Sequence, residues 1–536
     1  MPLKAIENFA QPPRPRDKVY GRRRHVPLET RDTNLQLFGG SDAKEIEKAI
    51  ATLTISHDNT KAVRENGRSP ERERHEPEAL CSAKPAVIHQ GQAPEGKSST
   101  QQTAVRKARG EARSKRVRSR RDPRLKTAVL SEVESIALRP VLAFPRVEST
   151  VLDFESFGTQ LTKRYDILKL SEGSYSDCFV IKHPDQAAEV AVMKIIPLDC
   201  DSDRTSSVAT HSQGFLREIK VLSALEPYHG FAQIFTSRFV KGRMPERFIQ
   251  AARSWLEETT EDVDKTIDPG TKFSDDQMFG IIEMGFAGRD LELLTKPSAF
   301  QAFDAFWTTV ILIGKAESDI EFEHRDLHMS NICFKPGKDG RDDVSDDFVQ
   351  SIKTVPDSIL GLSGLDISII DYTHSRMKYS SSDEVLFNPE APFSEAELVE
   401  LARDTRLGDQ TDTVIKADEC MSRQARDSSG GAPKYSAFTP KTNVIWLSHV
   451  LNQLTLRARA GRNWSSIAGS SSCAKRMQAG MWESLVEVKK CIGSSDLDAL
   501  PTSAEELLLL AIEKGWISKC DVDSFSARLN SGSQTP

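Results

Sequence analysis

The chain has 536 residues, enough for two or three domains or for one large domain with a long extension. Its composition, 38% hydrophobic and 28% charged, suits a soluble protein, and runs such as Trp307–Gly314 and Leu507–Ile512 fall far short of the roughly 20 apolar residues that span a bilayer, so no membrane association is expected. The net charge of −6 hides an asymmetry: residues 1–150 carry 30 Lys and Arg against 19 Asp and Glu, whereas residues 151–536 carry 42 against 59. A basic segment is drawn to polyanions, and an acidic body to cationic partners. The opening stretch MPLKAIENFAQPP lacks the apolar core of a secretory signal, and the eight cysteines show no CxxC pair or zinc-ligand spacing, which predicts free thiols in a reducing compartment.

Residues 1–145 are rich in Ser, Pro, Gln, Arg and Glu, hold no helical or alternating period for long, and are predicted to form a disordered basic tail. Within it, Val105–Lys126 carries eleven basic and two acidic side chains. That run suits nuclear import or non-specific nucleic-acid contact by phosphate neutralisation, against the alternative of a solvated charge run. Lys18–Arg24, KVYGRRR, resembles short basic motifs that dock cohesin regulators; an incidental basic patch is the alternative.

From about residue 150 the pattern changes. Tyr165–His183 alternates around a Gly-Ser turn and predicts a hairpin; Glu189–Leu198 predicts a buried strand. Gly214–Leu225 places Phe215, Ile219 and Leu222 at helical spacing, and Gln277–Phe286 is another apolar strand. After residue 289 helical patterns prevail, as in AFDAFWTTVILIGKAE and NVIWLSHVLNQL. Strands first and helices afterwards predict an α+β body in two lobes, a β-rich N-lobe over 146–287 and a helical C-lobe over 288–536.

Four segments carry the chemistry. EFEHRDLHMSNICF contains His324-Arg325-Asp326 with Asn331 five residues after the Asp. In phosphoryl transfer such an Asp accepts the proton of an incoming hydroxyl and such an Asn holds magnesium. Asp371 ends the apolar run of DISIIDYTHSRM, where a carboxylate can bridge magnesium between phosphates; an Asp opening an ordinary turn is the alternative. Lys194 lies inside the apolar VAVMK and needs a counter-charge unless it reaches solvent, and Glu218 on the next helix is the natural one. The phosphate-covering loop falls on LSEGSYSDCF, with Ser171, Gly173 and Ser176 at the three glycine positions, so one glycine remains. The order of these parts points to an ATP-dependent kinase.

The stretches FSDDQMFGIIEMGFAGRDLELL, FEHRDLHMSN, SIIDYTHSRM and KTNVIWLSHVL resemble the haspin family of atypical protein kinases over residues 165–455. The resemblance implies a bilobal kinase fold, ATP and magnesium as cofactors, and phosphorylation of a threonine near the N-terminus of histone H3 in mitotic chromatin, hence a nuclear location. It implies an ion pair between Lys194 and Glu218, Asp326 as catalytic base, and Asn331 and Asp371 on magnesium. Met284 takes the gatekeeper position, with Gly285, Phe286 and Ala287 as the adenine-binding hinge. Cys178 is counted with the nucleotide-binding residues, and Asp290 faces the ribose and a basic substrate. His328 stands where many kinases place a phosphate-contacting Lys. The family's peptide-groove segment does not match residues 388–434, which leaves an insertion, a diverged groove or a gene-model error as the readings there. A catalytically weak kinase-fold scaffold on chromatin is the alternative function.

Overall fold

The computed structural model describes residues 125–173, 176–184, 189–200, 210–259, 268–335, 358–379, 383–389, 408–427, 435–460 and 472–531, all in one compact unit. The motif at Lys18–Arg24, and the basic run up to residue 124, lie outside the described residues. No helix among the described residues is long and apolar enough to cross a membrane.

The described residues begin before the expected boundary at residue 145. Helix α1 (Glu132–Leu142) opens with a capping box: Ser131 Oγ accepts the Glu134 N–H, and the Glu134 carboxylate accepts the Ser131 N–H. Leu138 and Val141 are buried, Lys241 Nζ pairs with Glu134 at 2.8 Å, and Ser212 Oγ donates to the Ala137 carbonyl at 3.0 Å. The expectation of disorder through residue 145 is therefore corrected over 125–145, where buried apolar side chains tie the segment to the body.

The N-lobe then runs β1 (Leu152–Asp153), α2 (Phe154–Leu161), β2 (Asp166–Glu172), β3 (Asp177–Lys182), β4 (Glu189–Asp199), β5 (Thr210–His211), α3 (Ser212–Leu225), β6 (Ile234–Lys241), α4 (Glu246–Thr259) and β7 (Met278–Met284). The strands form one sheet in the order β1-β6-β7-β4-β3-β2, with β5 paired to β4. Helix α3 covers one face. Its Phe215 packs on Phe239 with ring centroids 5.1 Å apart, and at Gly280 of β7 a Cβ would fall 2.3 Å from the Phe215 ring. Only a glycine lets the helix approach this closely. Helices α2 and α4 cover the other face, where the Phe248 ring meets Phe154 at 5.7 Å and Phe179 at 5.0 Å. Because both faces are covered, β4 and β7 read as nearly continuous apolar runs.

The chain enters the C-lobe through residues 285–288. Gly288 has φ +105°, and a Cβ there would lie 2.2 Å from the Phe334 carbonyl oxygen. Beyond it come β8 (Arg289–Asp290), α5 (Ala299–Ile320), β9 (Ile332–Lys335), β10 (Asp366–Ile369), the hairpin β11 (Met377–Tyr379) and β12 (Glu384–Leu386), then α6 (Gly408–Asp427), α7 (Lys441–Ala460), α8 (Ser472–Ile492), α9 (Ala504–Glu513) and α10 (Lys519–Ser531). Strands β10, β9 and β8 form a three-stranded sheet in that order. Helix α5 starts from a capping box of Ser298 and Gln301, is buried almost along its length, and stops at Glu321 with φ 49°. It is the axis of the lobe.

Residues 408–427, inside the segment 388–434 that does not match the family's groove, belong to this lobe. Helix α6 buries Val414, Ala417, Cys420 and Met421; Ala417 and Cys420 share a core with Ile445 of α7, and Tyr435 Oη donates to Asp418 at 3.2 Å. The stretches 390–407 and 428–434 lie outside the described residues.

Asp521 of α10 accepts from Ser358 Oγ at 2.9 Å and from the N–H groups of Ile359 and Leu360 at 2.6 and 3.1 Å with one oxygen, and from Ser518 N and Oγ at 2.8 and 2.7 Å with the other. Asp521→Ala leaves the buried Leu360 N–H and the half-buried Ser358 and Ile359 donors unmatched and is expected to lower stability by about 3 kcal/mol. A denaturation midpoint equal to that of the wild type would refute this anchoring role.

Candidate active site

Lys194 sits mid-strand in β4, opposite Cys178 of β3 and Ile282 of β7. It is buried, and its ammonium lies 2.6 Å from Glu218 Oε1 on α3 and 3.5 Å from Asp371 Oδ1 in the C-lobe. Burial alone would favour the neutral amine; the Asp371 and Glu218 carboxylates more than offset it and hold the lysine well above its ordinary range. Glu218 reaches this position because Phe215, Ile219 and Leu222 turn the apolar face of α3 onto the sheet.

The segment after α5 forms the loop carrying Asp326. Phe322 is buried against the Phe231 and Tyr372 rings, and Arg325 takes a left-handed φ of 64°. The buried His324 accepts the Asp326 N–H at Nδ1, 3.3 Å away, leaving Nε2 to donate to the Ile370 carbonyl at 3.1 Å. Burial pushes its pKa down to about 4, so the ring is a neutral brace. Asn331 Nδ2 donates to the Asp326 carbonyl at 2.8 Å. His328 caps the short turn Met329–Asn331: its Nδ1 accepts from Ser330 N at 3.2 Å, and its Nε2 lies 3.1 Å from Asn331 Nδ2 and 3.7 Å from Asp326 Oδ2. The ring thus sits between these two residues inside the loop.

Two contacts fix the loop from behind. Glu323 and Arg325 are both buried and joined in a fork, Nε to Oε2 at 3.1 Å and one terminal nitrogen to Oε1 at 2.9 Å. Arg325 also donates to the Tyr435 and Ala437 carbonyls, while Glu323 accepts from Thr439 N and Thr442 Oγ1. The arginine is therefore satisfied by internal groups. Asn443 of α7 accepts the His324 N–H at 3.0 Å and donates to Glu317 at 2.8 Å. Burial pushes Glu317 up to about 8.

Asp371 takes φ 65° and accepts from Thr373 Oγ1 at 2.8 Å. Next to it, the buried Tyr372 hydroxyl donates to the Ile369 carbonyl at 2.6 Å and accepts the Ala232 N–H at 2.9 Å, tying this segment to the start of β6.

These groups line a cleft between the lobes. Its apolar part is bounded by Ser171 and Cys178, by Val192, and by Met284 with the linker Gly285, Phe286 and Ala287; the Gly285 N–H donates to the Gln233 carbonyl. Its polar part holds Lys194, Glu218, Asp326 and Asp371 beneath Gly173 and Ser176, whose backbones bond at 2.8 Å. Asp290 lies on β8 beside Cys333, and its carboxylate accepts the Glu292 N–H at 3.1 Å. Arg217 and His374 also line the polar part and were not foreseen. Their only sequence signal is adjacency: Arg217 precedes Glu218, and His374 follows Asp371 by three residues.

The donor set suits magnesium. Asp326 Oδ1 and Asn331 Oδ1 are buried without a hydrogen-bond partner, and Asp326 and Asp371 both line the polar part of the cleft. Few protein oxygens are needed, because magnesium takes much of its shell from phosphates and water.

Burial also lowers the pKa of His374, so two neutral histidines support this site. The unfolded chain protonates them from about pH 6.5, whereas folded His324 resists until about 4. In a Glu317→Gln background, which removes the one carboxylate raised to about 8 and so gaining a proton over the same range, the thermal midpoint is therefore expected to fall as pH drops from 6.5 to 5. A midpoint flat down to pH 5 would contradict the buried neutral rings.

The family model described as "Haspin like kinase domain" matches residues 124–490. The chain is similar to the serine/threonine-protein kinase haspin homolog of Drosophila melanogaster, with 29% identity over 303 residues, covering 53% of this chain and 47% of that protein. It is also similar to the haspin homolog hrk1 of Schizosaccharomyces pombe, with 24% identity, covering 57% of this chain and 58% of that protein. The chain thus spans about half the length of these relatives. Among solved structures, the Cydia pomonella granulovirus kinase PK-1 aligns with a TM-score of 0.31 and 11% identity, covering 66% of this chain and 96% of that one. With a two-lobed body, an interlobe cleft and a family match over most of its length, the chain belongs to the haspin-like kinase family.

Proposed function

We propose that the chain is an ATP- and magnesium-dependent serine/threonine protein kinase that phosphorylates a threonine of the histone H3 N-terminal tail in mitotic chromatin. One observation supports the phosphotransfer above all others: the Lys194–Glu218 pair, Asp326 and Asp371 meet in a single cleft although 177 positions separate the first from the last, and Asn331 is hydrogen-bonded to Asp326 behind it. Adenine would lie along the Gly285–Ala287 backbone, with its phosphates reaching Lys194. The Asp326 carboxylate would take the proton of the threonine hydroxyl as that oxygen bonds to the γ-phosphorus and ADP departs. Asn331 and Asp371 would hold magnesium, which supplies charge neutralisation between the phosphates.

The substrate class is supported by charge. Residues 151–536 carry 42 Lys and Arg against 59 Asp and Glu, and an acidic body favours a lysine- and arginine-rich tail. The basic run Val105–Lys126 would add non-specific contact with nucleic acid in the nucleus, and Lys18–Arg24 would dock a cohesin regulator. The loss of two glycines from the phosphate-covering loop favours the second reading, a catalytically weak kinase-fold scaffold on chromatin.

Labelled-phosphate transfer to an unmodified histone H3 tail peptide, beside a threonine-to-alanine control, tests the proposal. Asp326→Asn is expected to cut the rate by about 10²- to 10⁴-fold while ATP binding persists. Equal labelling of both peptides would reject the H3 threonine, and ATP binding without transfer by the wild type would favour the scaffold.

A further inference from the structure

The hairpin of β2 and β3 ends on a pair of like charges. Glu172 and Asp177 are the last cross-strand partners before the loop, directly opposite each other, and the loop ends Gly173 and Ser176 line the polar part of the cleft. Two facing carboxylates repel and would splay the hairpin mouth if left alone. Instead they are bridged twice. Lys169, from β2 itself, is buried with its ammonium 2.9 Å from Glu172 Oε2 and 2.7 Å from Asp177 Oδ1, and 4.8 Å from the centre of the Trp255 ring. Lys272, from the connection between α4 and β7, lies 2.8 Å from Glu172 Oε1 and 3.3 Å from Asp177 Oδ2.

Each lysine touches both carboxylates, so the four side chains close a ring with no net charge. Asp177 is buried, and burial alone would raise its pKa; the Lys272 and Lys169 ammonium groups more than offset this and hold it below the usual carboxylate range. Glu172 is lowered too: burial and the facing Asp177 push it up, and the two lysines outweigh them. Lys169 belongs to the hairpin and moves with it. Lys272 does not. It joins the hairpin mouth to a separate part of the N-lobe, where Phe273 packs edge-on against Phe279 of β7 with ring centroids 5.1 Å apart.

We infer that Lys272 is a positioning residue for the nucleotide: by neutralising Glu172 and Asp177 together, it fixes the phosphate-covering loop at its working height over the cleft. The inference rests on the reading of that cleft as an ATP site. With serine at two of the three glycine positions, the loop has little freedom to close on phosphates by its own backbone, so its height is set from outside. Lys272 touches no substrate and acts through the hairpin.

The test is calorimetric binding of MgATP by the full chain, with a thermal midpoint measured on each variant. Lys272→Met is expected to weaken MgATP about five- to tenfold, the loss of one charge-assisted bridge. The double variant Lys272→Met with Glu172→Gln removes the facing charge as well and is expected to return to within about twofold of wild type, because Lys169 then neutralises Asp177 alone. Steady-state rates should show the same change in KM for ATP, with kcat nearly constant.

Unchanged MgATP binding by Lys272→Met, with or without a lower thermal midpoint, would overturn the inference. So would a double variant that binds no better than the single one, since a merely structural loss would not be rescued by removing a second charge. A wild-type chain that binds no MgATP would overturn the ATP-site reading and this inference with it.

Discussion

A lysine ammonium in the middle of a covered β-sheet cannot remain charged without close counter-charges, and the rest of the site follows from how Lys194 meets that need. Its two partners come from different places: Glu218 from the helix packed on the sheet, Asp371 from the opposite lobe. Removing Glu218 would break a buried pair, which costs about 3–5 kcal/mol. One cation therefore sets the height of α3, the position of the segment after β10 and the closeness of the lobes. The same three charges border the polar part of the cleft, so the groups that hold the fold together there also set the charge that a ligand in the cleft would meet.

The loop bearing Asp326 is held from the opposite side, by neutral and paired groups deep in the C-lobe. Glu323 and Arg325 lock it to residues 435–442, and Asn443 links it to Glu317. Glu317 in turn accepts the Ala504 N–H at the start of α9. A continuous run of hydrogen bonds thus joins the Asp326 loop to a helix beyond residue 490, where the family match ends. With Asp521 binding residues 358–360, the last two helices are structural members of the lobe.

Much of this was legible from residue order. The β2–β3 hairpin, β4, α3, β7, α5 and α7 each carry an unbroken period or apolar run, and their boundaries lie within a few residues of expectation. Other elements were hidden for identifiable reasons. Helix α1 follows the basic run, and only two of its residues are buried, so its signal was the Ser131–Glu134 capping box and not a period. Helix α6 sits in a segment unlike the expected groove, and its mean hydropathy is low although its inner face packs on α7. The cleft residues Arg217 and His374 lie beside recognised motifs and belong to none.

The sequence alone determined which residue types were available for the proposed phosphotransfer and in what order. A lysine in an apolar strand, a carboxylate on the next helix, an Asp–Asn pair and a carboxylate after an apolar run carry their chemistry wherever they lie. It also carried a family resemblance, in stretches that include Glu323, His328 and the Asp-Tyr-Thr triplet, and the family match spans residues 124–490. Tertiary structure decided what these residues do to one another. It paired Lys194 with Asp371 as well as Glu218, turned His328 in between Asp326 and Asn331, and satisfied Arg325 with Glu323 and backbone carbonyls. It also set two facing carboxylates at the mouth of a hairpin and placed Lys272 across them. Such contacts depend on side chains about 100 positions apart lying within 3 Å, and no period or motif in a linear chain encodes a distance.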